Sequence, residues 1–436
     1  MKEGTKVLKK YTGALGFVCA ITFGCASYTP PDSVDSPDYL RRIESKSDRN
    51  VKVSAVVLSD EESDQALGTR LTPRGIQPIW VEIENRHDQE FILMLNSVDA
   101  NYFSPSEAAW ISHNFGESGI DRKVQHFFEK QIPIVIAPNS TEKGFVYTNL
   151  DPGGKAFGVT LVGDREVRKF EFAQEIPGLR MDWMQVDFDS LYSPDDIDDL
   201  ELEELRAYLE ALPCCVLGGD RETPGDPVNI VIVGDGLHVL AVLVRMGWDM
   251  TETLTQSSVW RTIKSSVFGI RYRTSPVSPL YLFDRRQDVA LQRARGTVDE
   301  RNHMRLWLAP VTSSGQEVWV GQISRDIGVK FSSKTLVTHK IDPIIDESRM
   351  ALLFDAAASQ SMGQLAFVKG VGVSSYTSPR TNYTLDPYYT DGLRLVLFLS
   401  EKLIALDHIG WVGWEIPPGP AAYLGEPARK SPRGSQ

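Results

Sequence analysis

The chain lacks any hydrophobic run long enough to cross a membrane as a helix. Its first apolar stretch, Tyr11 to Gly24, falls short of the ~20 residues a bilayer needs, and the late stretch Leu393 to Leu399 has the length of a strand and is followed by Glu401 and Lys402. Cysteine is scarce: of four, Cys19 and Cys25 lie near the amino terminus, leaving only the adjacent pair Cys214 and Cys215. No Cys-x-x-Cys pair exists, which removes the commonest structural zinc site. The adjacent pair reads as two buried small hydrophobes, with a strained vicinal disulfide as the alternative, because the eight-membered ring distorts the intervening peptide. A positive excess is also missing. With 46 Lys and Arg against 58 Asp and Glu the formal net charge is -12, which argues against nucleic acid as a partner. Absent, too, are Gly-x-Ser-x-Gly, a Walker loop and His-Glu-x-x-His, so the common hydrolase signatures are excluded.

What is there begins with a leader. Lys2, Lys6, Lys9 and Lys10 precede the apolar run, the charged-then-apolar order of an export signal. Ile21-Thr22-Phe23-Gly24-Cys25 resembles the lipobox of bacterial lipoproteins, although Thr22 stands where Leu is usual. The resemblance implies lipidation of Cys25, a membrane partner held through that anchor and, because Ala26 rather than Asp follows, an outer-membrane position facing the periplasm. An ordinary leader cleaved near Ala26 is the alternative. Residues 26–50 are rich in Ser, Pro and Asp without apolar period and are expected to form a flexible tether.

Two folded domains are expected beyond it, since 436 residues exceed a single typical core. Residues 51–183 carry short β-branched and aromatic runs. In Ile79-Trp-Val-Glu-Ile-Glu84 the aliphatic positions alternate with Trp80, Glu82 and Glu84, the pattern of a strand buried on one face. The expectation is an all-β, immunoglobulin-like sandwich with a helical insertion over Phe103 to Lys130, started by Ser104-Pro105-Ser106-Glu107. Residues 193–212 predict a helical linker capped by Ser193. From Pro227 the pattern changes to strand then helix: Val228 to Val233, a helix opened by Asp235, further helices over Thr251 to Phe268 and Asp342 to Ala358, and strands at Arg305 to Leu308, Glu317 to Ile323 and Leu393 to Phe398. An α/β (α+β) domain over 213–415 and a disordered tail over 416–436 complete the expected organisation.

The polar residues concentrate between Phe283 and Arg349. Glu300-Arg-Asn-His303-Met-Arg305-Leu-Trp307, Val318-Trp319-Val-Gly321, Ser324-Arg-Asp326, Thr338-His339-Lys-Ile-Asp342 and Asp346-Glu-Ser-Arg349 follow in order. With Pro227 to Gly234 and Gly247-Trp248 they resemble the LssY carboxy-terminal domain family over about 213–373. The resemblance implies that family's domain and, since it occurs attached to membrane proteins of lipid-phosphatase type, a membrane association without an assigned reaction. From the residues themselves, His303, Arg305 and Trp307 share one face of a strand whose other face carries Met304 and Leu306. Asp342 and Asp346 stand one helical turn apart, with Arg349 three residues on. Trp319, Asp326 and His339 complete the candidate set. Three chemistries remain open: a buried salt-bridged network, an anion site for a lipid or phosphorylated small molecule built on His303, Arg305 and Arg349, and a His–carboxylate general base or divalent-metal site. The cofactor is not specified by these residues. His87, His113, His126, His238 and His408 have no ligand-like neighbours in sequence.

Overall fold

A computed structural model describes residues 27–32, 37–114, 117–151, 154–175, 186–251, 277–294, 301–332, 336–419 and 423. The leader with Cys25, the helix expected beyond Thr251, and most of the 416–436 tail lie outside them.

Two antiparallel four-stranded sheets pack face to face in the amino-terminal half. One orders Glu44–Asp48, Val51–Val57, Ile76–Asn85 and Ser140–Asn149; the other orders Val135–Ile136, Phe91–Met94, Gly154–Gly163 and Glu166–Glu175. The alternation at Ile79, Val81 and Ile83 sends these side chains into the intersheet core with Val53, Ala55, Leu93, Phe157, Val159 and Phe172. A β-sandwich is therefore present. Its connectivity departs from the immunoglobulin arrangement, because the first three strands share one sheet where that fold sends its third strand across.

Trp80 faces the other way. With Val56, Leu58, Phe145 and Tyr147 it makes the outer face of the first sheet apolar, and helices Asp60–Leu67, Pro105–Ile111 and Ile120–Lys130 cover it through Leu67, Ala108, Ala109 and Phe127. The helical insertion starts where the sequence predicts. Ser104 Oγ accepts from the Glu107 amide at 3.2 Å and Glu107 Oε2 from the Ser104 amide at 2.8 Å, a complete capping box.

The segment expected as a tether is instead folded onto this unit. Tyr28 is buried, Asp38–Arg42 is a 3-10 turn whose Tyr39 joins the core, and Glu44–Asp48 is an edge strand of the first sheet. A polar, Pro-rich composition hid these anchors because single aromatic side chains, not an apolar period, hold the segment down.

The carboxy-terminal half is a ten-stranded mixed sheet whose centre orders Val289–Ala294, Arg301–Ser313, Gln316–Ser332, Ile230–Val233, Leu393–Leu399 and Met362–Lys369. Helices Gly236–Arg245 and Asp346–Ala358 pack on one face. On the other lie helix Leu202–Ala211 and a small sheet containing Cys215–Leu217 and Pro224–Pro227. The layering is α+β.

Three expectations change. The 193–212 segment is not a continuous helix: Pro194–Asp196 is a 3-10 turn, Asp198–Asp199 adds to the strand Arg301–Ser313, and the α-helix begins at Leu202 behind Glu201. Strand pairing captures Asp198 and Asp199 before a helix can form, and Leu205, Leu209 and Leu212 are core residues of the second unit. Cys214 and Cys215 form a vicinal disulfide rather than two thiols. The helix expected from Asp342 begins at Asp346, because Pro343 disfavours a helical Asp342, whose Oδ1 instead accepts from the Ile344 amide at 3.0 Å.

The halves touch through the second sandwich sheet and helix Gly236–Arg245. Ala156 lies in the core beneath that helix, and Arg245 Nη1 stands 3.1 Å from Glu171 Oε1. Among the described residues no helix is long and apolar enough to cross a membrane.

Candidate functional site

The strand Arg301–Ser313 is buried on both faces, so its alternation sorts side chains between two environments. Met304, Leu306 and Leu308 enter the core beneath the helices. Arg301, His303, Arg305 and Trp307 face the opposite layer, as the two-residue period requires. Trp307 belongs to the apolar half of that layer: it is fully buried beside Ala309, Val311 and Val320 and donates from Nε1 to the Arg285 carbonyl at 3.3 Å. Trp319 is on the other side of the sheet. Its register partners are Leu308 and Ile232, its ring meets Phe188 at 5.6 Å, and its Nε1 donates to Glu317 at 3.1 Å. The two tryptophans therefore do not share a site.

Toward the start of the strand the same face becomes polar. Gln292 and Ser324 are the register neighbours of His303, and Gln322 that of Arg305. Arg305 donates from Nη1 to Gln322 Oε1 at 3.0 Å, and from Nε and Nη2 to the Ser278 carbonyl at 3.2 and 3.1 Å. Gln322 Nε2 in turn donates to Asp226 Oδ2 at 3.1 Å and Ser324 Oγ at 2.8 Å, while Asn382 Nδ2 donates to Asp226 Oδ1 at 2.9 Å. Beside this closed group, His303 Nε2 lies 3.4 Å from Asp326 Oδ2, Arg301 Nε lies 3.7 Å from the same oxygen, and Arg301 Nη1 donates to Gln292 Oε1. Arg301, His303, Arg305, Asp226 and Asp326 are all buried.

Gly321 explains how strands carrying such long side chains can lie together. A Cβ on it would sit 2.6 Å from the Arg305 carbonyl oxygen and 2.6 Å from Leu306 Cδ2, so only glycine permits this approach. Burial governs the charges. It pushes the Asp326 carboxyl up to about 7, against the opposing pull of the Arg301 and Arg305 guanidiniums. Asp226 is raised by burial as well, with the Asn382 hydrogen bond opposing. Asp326 can thus carry a proton near neutrality beside a histidine, the condition for acid–base exchange.

Arg349 belongs elsewhere. It grips Asp391 with Nη1 and Nη2 at 3.0 and 2.8 Å, donates to the Leu393 carbonyl, and has Asp346 at 3.5 Å. Asp346 accepts from Thr390 Oγ1 at 2.9 Å, the Asp391 amide at 2.8 Å and the Tyr423 hydroxyl at 3.1 Å. This buried cluster locks the helix Asp346–Ala358 to the chain before Leu393. It also seats Tyr423, a residue of the expected disordered tail. The pairing of Asp346 with Arg349 follows the helical spacing, whereas Asp342 takes no part in it.

The structure thus brings together His303, Arg305 and Asp326, with Trp307 on the same face; it separates Trp319 and Arg349 from them, while Asp342 donates its amide to the Arg325 carbonyl at 2.7 Å, beside Asp326, and accepts from the Ile344 amide with its carboxylate. His339 lies on the strand Leu336–Ile341, whose Ile341 pairs with Asp326. Arg301 extends the stripe that His303 and Arg305 begin and was legible from the same period. Gln292, Gln322 and Ser324 become visible only through register, and Asp226 and Asn382 only through the fold. Among the described residues no three His, Cys, Asp or Glu side chains converge as metal ligands. A separate concavity of about 310 Å³ opens where Asp99, Asn149 and Lys155 face Arg245, Trp248 and Asp249 across the join of the two halves.

Residues 208–393 match the family model LssY C-terminus. The matched segment runs from within the helix Leu202–Ala211 to the strand Leu393–Leu399, slightly wider than the resemblance read from motifs, and contains the whole His303 network and Arg349. The glycine of the Trp-x-Gly motif is Gly321, and the His-x-Arg-x-Trp motif is the half-polar strand face. Gly247-Trp248 lies outside that network, at the join of the LssY-matching region with the sandwich. No curated protein matches the chain.

Proposed function

We propose that this chain is an envelope lipoprotein, lipid-anchored at Cys25 and facing the periplasm from the outer membrane, whose LssY-type domain binds an anionic ligand of the phosphorylated or lipid-headgroup class. The observation that carries the reading is the alignment of Arg301, His303 and Arg305 on one buried strand face in a chain of net charge -12, beside a carboxyl that takes up a proton near neutral pH. A phosphate entering this face meets the Arg301 guanidinium and the His303 imidazole, and protonation of Asp326 removes the competing anion. Arg305 holds Gln322 and Ser278 and acts as a positioning residue. His303 and Arg301, nearer Asp326, are the groups that meet the ligand.

Three measurements test this. Mass spectrometry of the membrane-extracted protein should find an acylated Cys25 as the new amino terminus, and cell fractionation should place the protein in the outer membrane. Titration calorimetry with glycerol 3-phosphate should show binding that His303→Ala removes while the fold persists. Binding unchanged in His303→Ala defeats the site assignment. Hydrolysis of such a ligand is the second reading, favoured by the His303–Asp326 pair at 3.4 Å. Release of inorganic phosphate from a phosphomonoester, lost in both His303→Ala and Asp326→Asn, is the outcome that selects it.

A further inference from the structure

The first described residues do not lead away from the fold. Ser27 bridges to Ser118, the Tyr28 amide donates to the Ser118 carbonyl at 2.9 Å, and Arg122 Nη1 donates to the Tyr28 carbonyl at 3.2 Å. The Tyr28 hydroxyl donates to the Leu67 carbonyl at 2.7 Å, and Lys123 Nζ stands 5.2 Å from its ring centre. Ser118 lies in the connection between helices Pro105–Ile111 and Ile120–Lys130. Only Ala26 separates Cys25 from this clamp, and two residues span at most about 7 Å. Acyl chains on Cys25 would therefore emerge beside the helical pair.

That pair bears the large apolar side chains an aqueous surface does not require. Trp110 is 62% exposed, Phe128 69% and Ile111 40%, each on a helix whose opposite side, through Ala108, Ala109 and Phe127, fills the core. Trp110 lies close to the clamp: its ring contacts that of His113 at 6.5 Å, and His113 Nδ1 is 3.3 Å from Glu117, the neighbour of Ser118. Apart from the buried Lys123, the helix Ile120–Lys130 carries Asp121, Arg122, Glu129 and Lys130, two acids and two bases, so apolar insertion rather than charge attraction would hold it at a surface. Trp and Phe favour the boundary between headgroups and acyl chains.

We propose that the helical pair Pro105–Ile111 and Ile120–Lys130 is a membrane-docking face, on which Trp110, Ile111 and Phe128 enter the lipid boundary and orient the anchored protein. The proposal rests on lipidation of Cys25. A short, clamped anchor then fixes which side meets the bilayer and turns the LssY-type domain to a defined orientation above it.

The lipidated full-length protein, carrying an environment-sensitive fluorophore at Trp110→Cys, Phe128→Cys or, as a control on the exposed face of helix Asp346–Ala358, Phe354→Cys, is reconstituted into vesicles of phosphatidylethanolamine and phosphatidylglycerol. Brominated acyl chains in the vesicles should quench the first two labels at least about two-fold more than the third, since the docked side chains sit within the ~5–10 Å interfacial layer. Without any label, the intrinsic fluorescence quenched by the same lipids should fall in Trp110→Phe, a change that spares the fold because the position is exposed. Equal quenching at all three labels, with an acylated Cys25 in the mass spectrum, overturns the docking face and leaves the anchor standing. An unacylated Cys25 overturns the anchor and the docking face together.

Discussion

Replacing Asp391 by alanine separates the locking cluster from the candidate site. Asp391 receives both arms of the buried Arg349 guanidinium at 3.0 and 2.8 Å, and its loss leaves that charge with the Leu393 carbonyl, Asp346 at 3.5 Å and the Phe367 ring at 5.3 Å. Hydrogen bonds to charged groups contribute about 1.5–3 kcal/mol each, and orphaning one member of a buried pair costs about 3–5 kcal/mol. Asp346 retains part of the attraction, so the lower end of that range applies. For a folding unit of this size each kcal/mol moves Tm by about 2–4 °C, so Asp391→Ala should melt about 6–12 °C lower. Asp342→Ala removes one hydrogen bond to the Ile344 amide at a half-buried position, worth about 1 kcal/mol or less. Differential scanning calorimetry of the two variants decides the matter. Equal shifts would falsify the assignment of Arg349 to the Asp391 cluster and return Asp342 to it.

Three further outcomes are expected. Because the folded-state pKa of Asp326 is raised from 3.8 to about 7, the native state holds its proton more tightly than the unfolded chain; the contribution to stability is full below about pH 4 and lost as pH rises toward 7. Asp326→Asn should therefore flatten the fall in Tm over that window and melt higher than the unchanged protein at pH 8, and an unaltered pH profile would contradict the burial argument. Gly321→Ala should cost about 1–3 kcal/mol in urea unfolding, since its Cβ meets the Arg305 carbonyl at 2.6 Å; full stability would mean the strands can part freely. A fragment beginning at Ser193 lacks Ala156 and Ala173, which cover helix Gly236–Arg245, and should bind the dye ANS more strongly than the full chain; no difference would show that the halves do not share that surface.

Several elements were legible because their causes are local. The Ser104–Glu107 capping box, the Asp235 cap that accepts from the Leu237 and His238 amides at 3.1 and 3.2 Å, and the alternation that puts His303 and Arg305 on one face need only neighbours within four residues. The Asp346–Arg349 contact followed from helical spacing in the same way. Misreadings arose where a distant partner overrode the local preference. Asp198 and Asp199 joined the strand Arg301–Ser313, Tyr28 and Tyr39 held down a segment whose composition suggests a tether, and Trp319 turned away from Trp307 because facing strands carry them with opposite parity.

By itself, the sequence determined a β-rich half followed by a helix-bearing half, and an LssY-type polar strand, because each is written in a short period, a cap or a spaced motif. Tertiary structure alone decided which polar residues meet. Register set Gln322 and Ser324 beside Arg305 and His303, and chain closure over long separations brought Asp226 to Asn382 and Arg349 to Asp391. Those pairings exist because burial leaves a charged group no water and only a partner delivered by the fold can replace it.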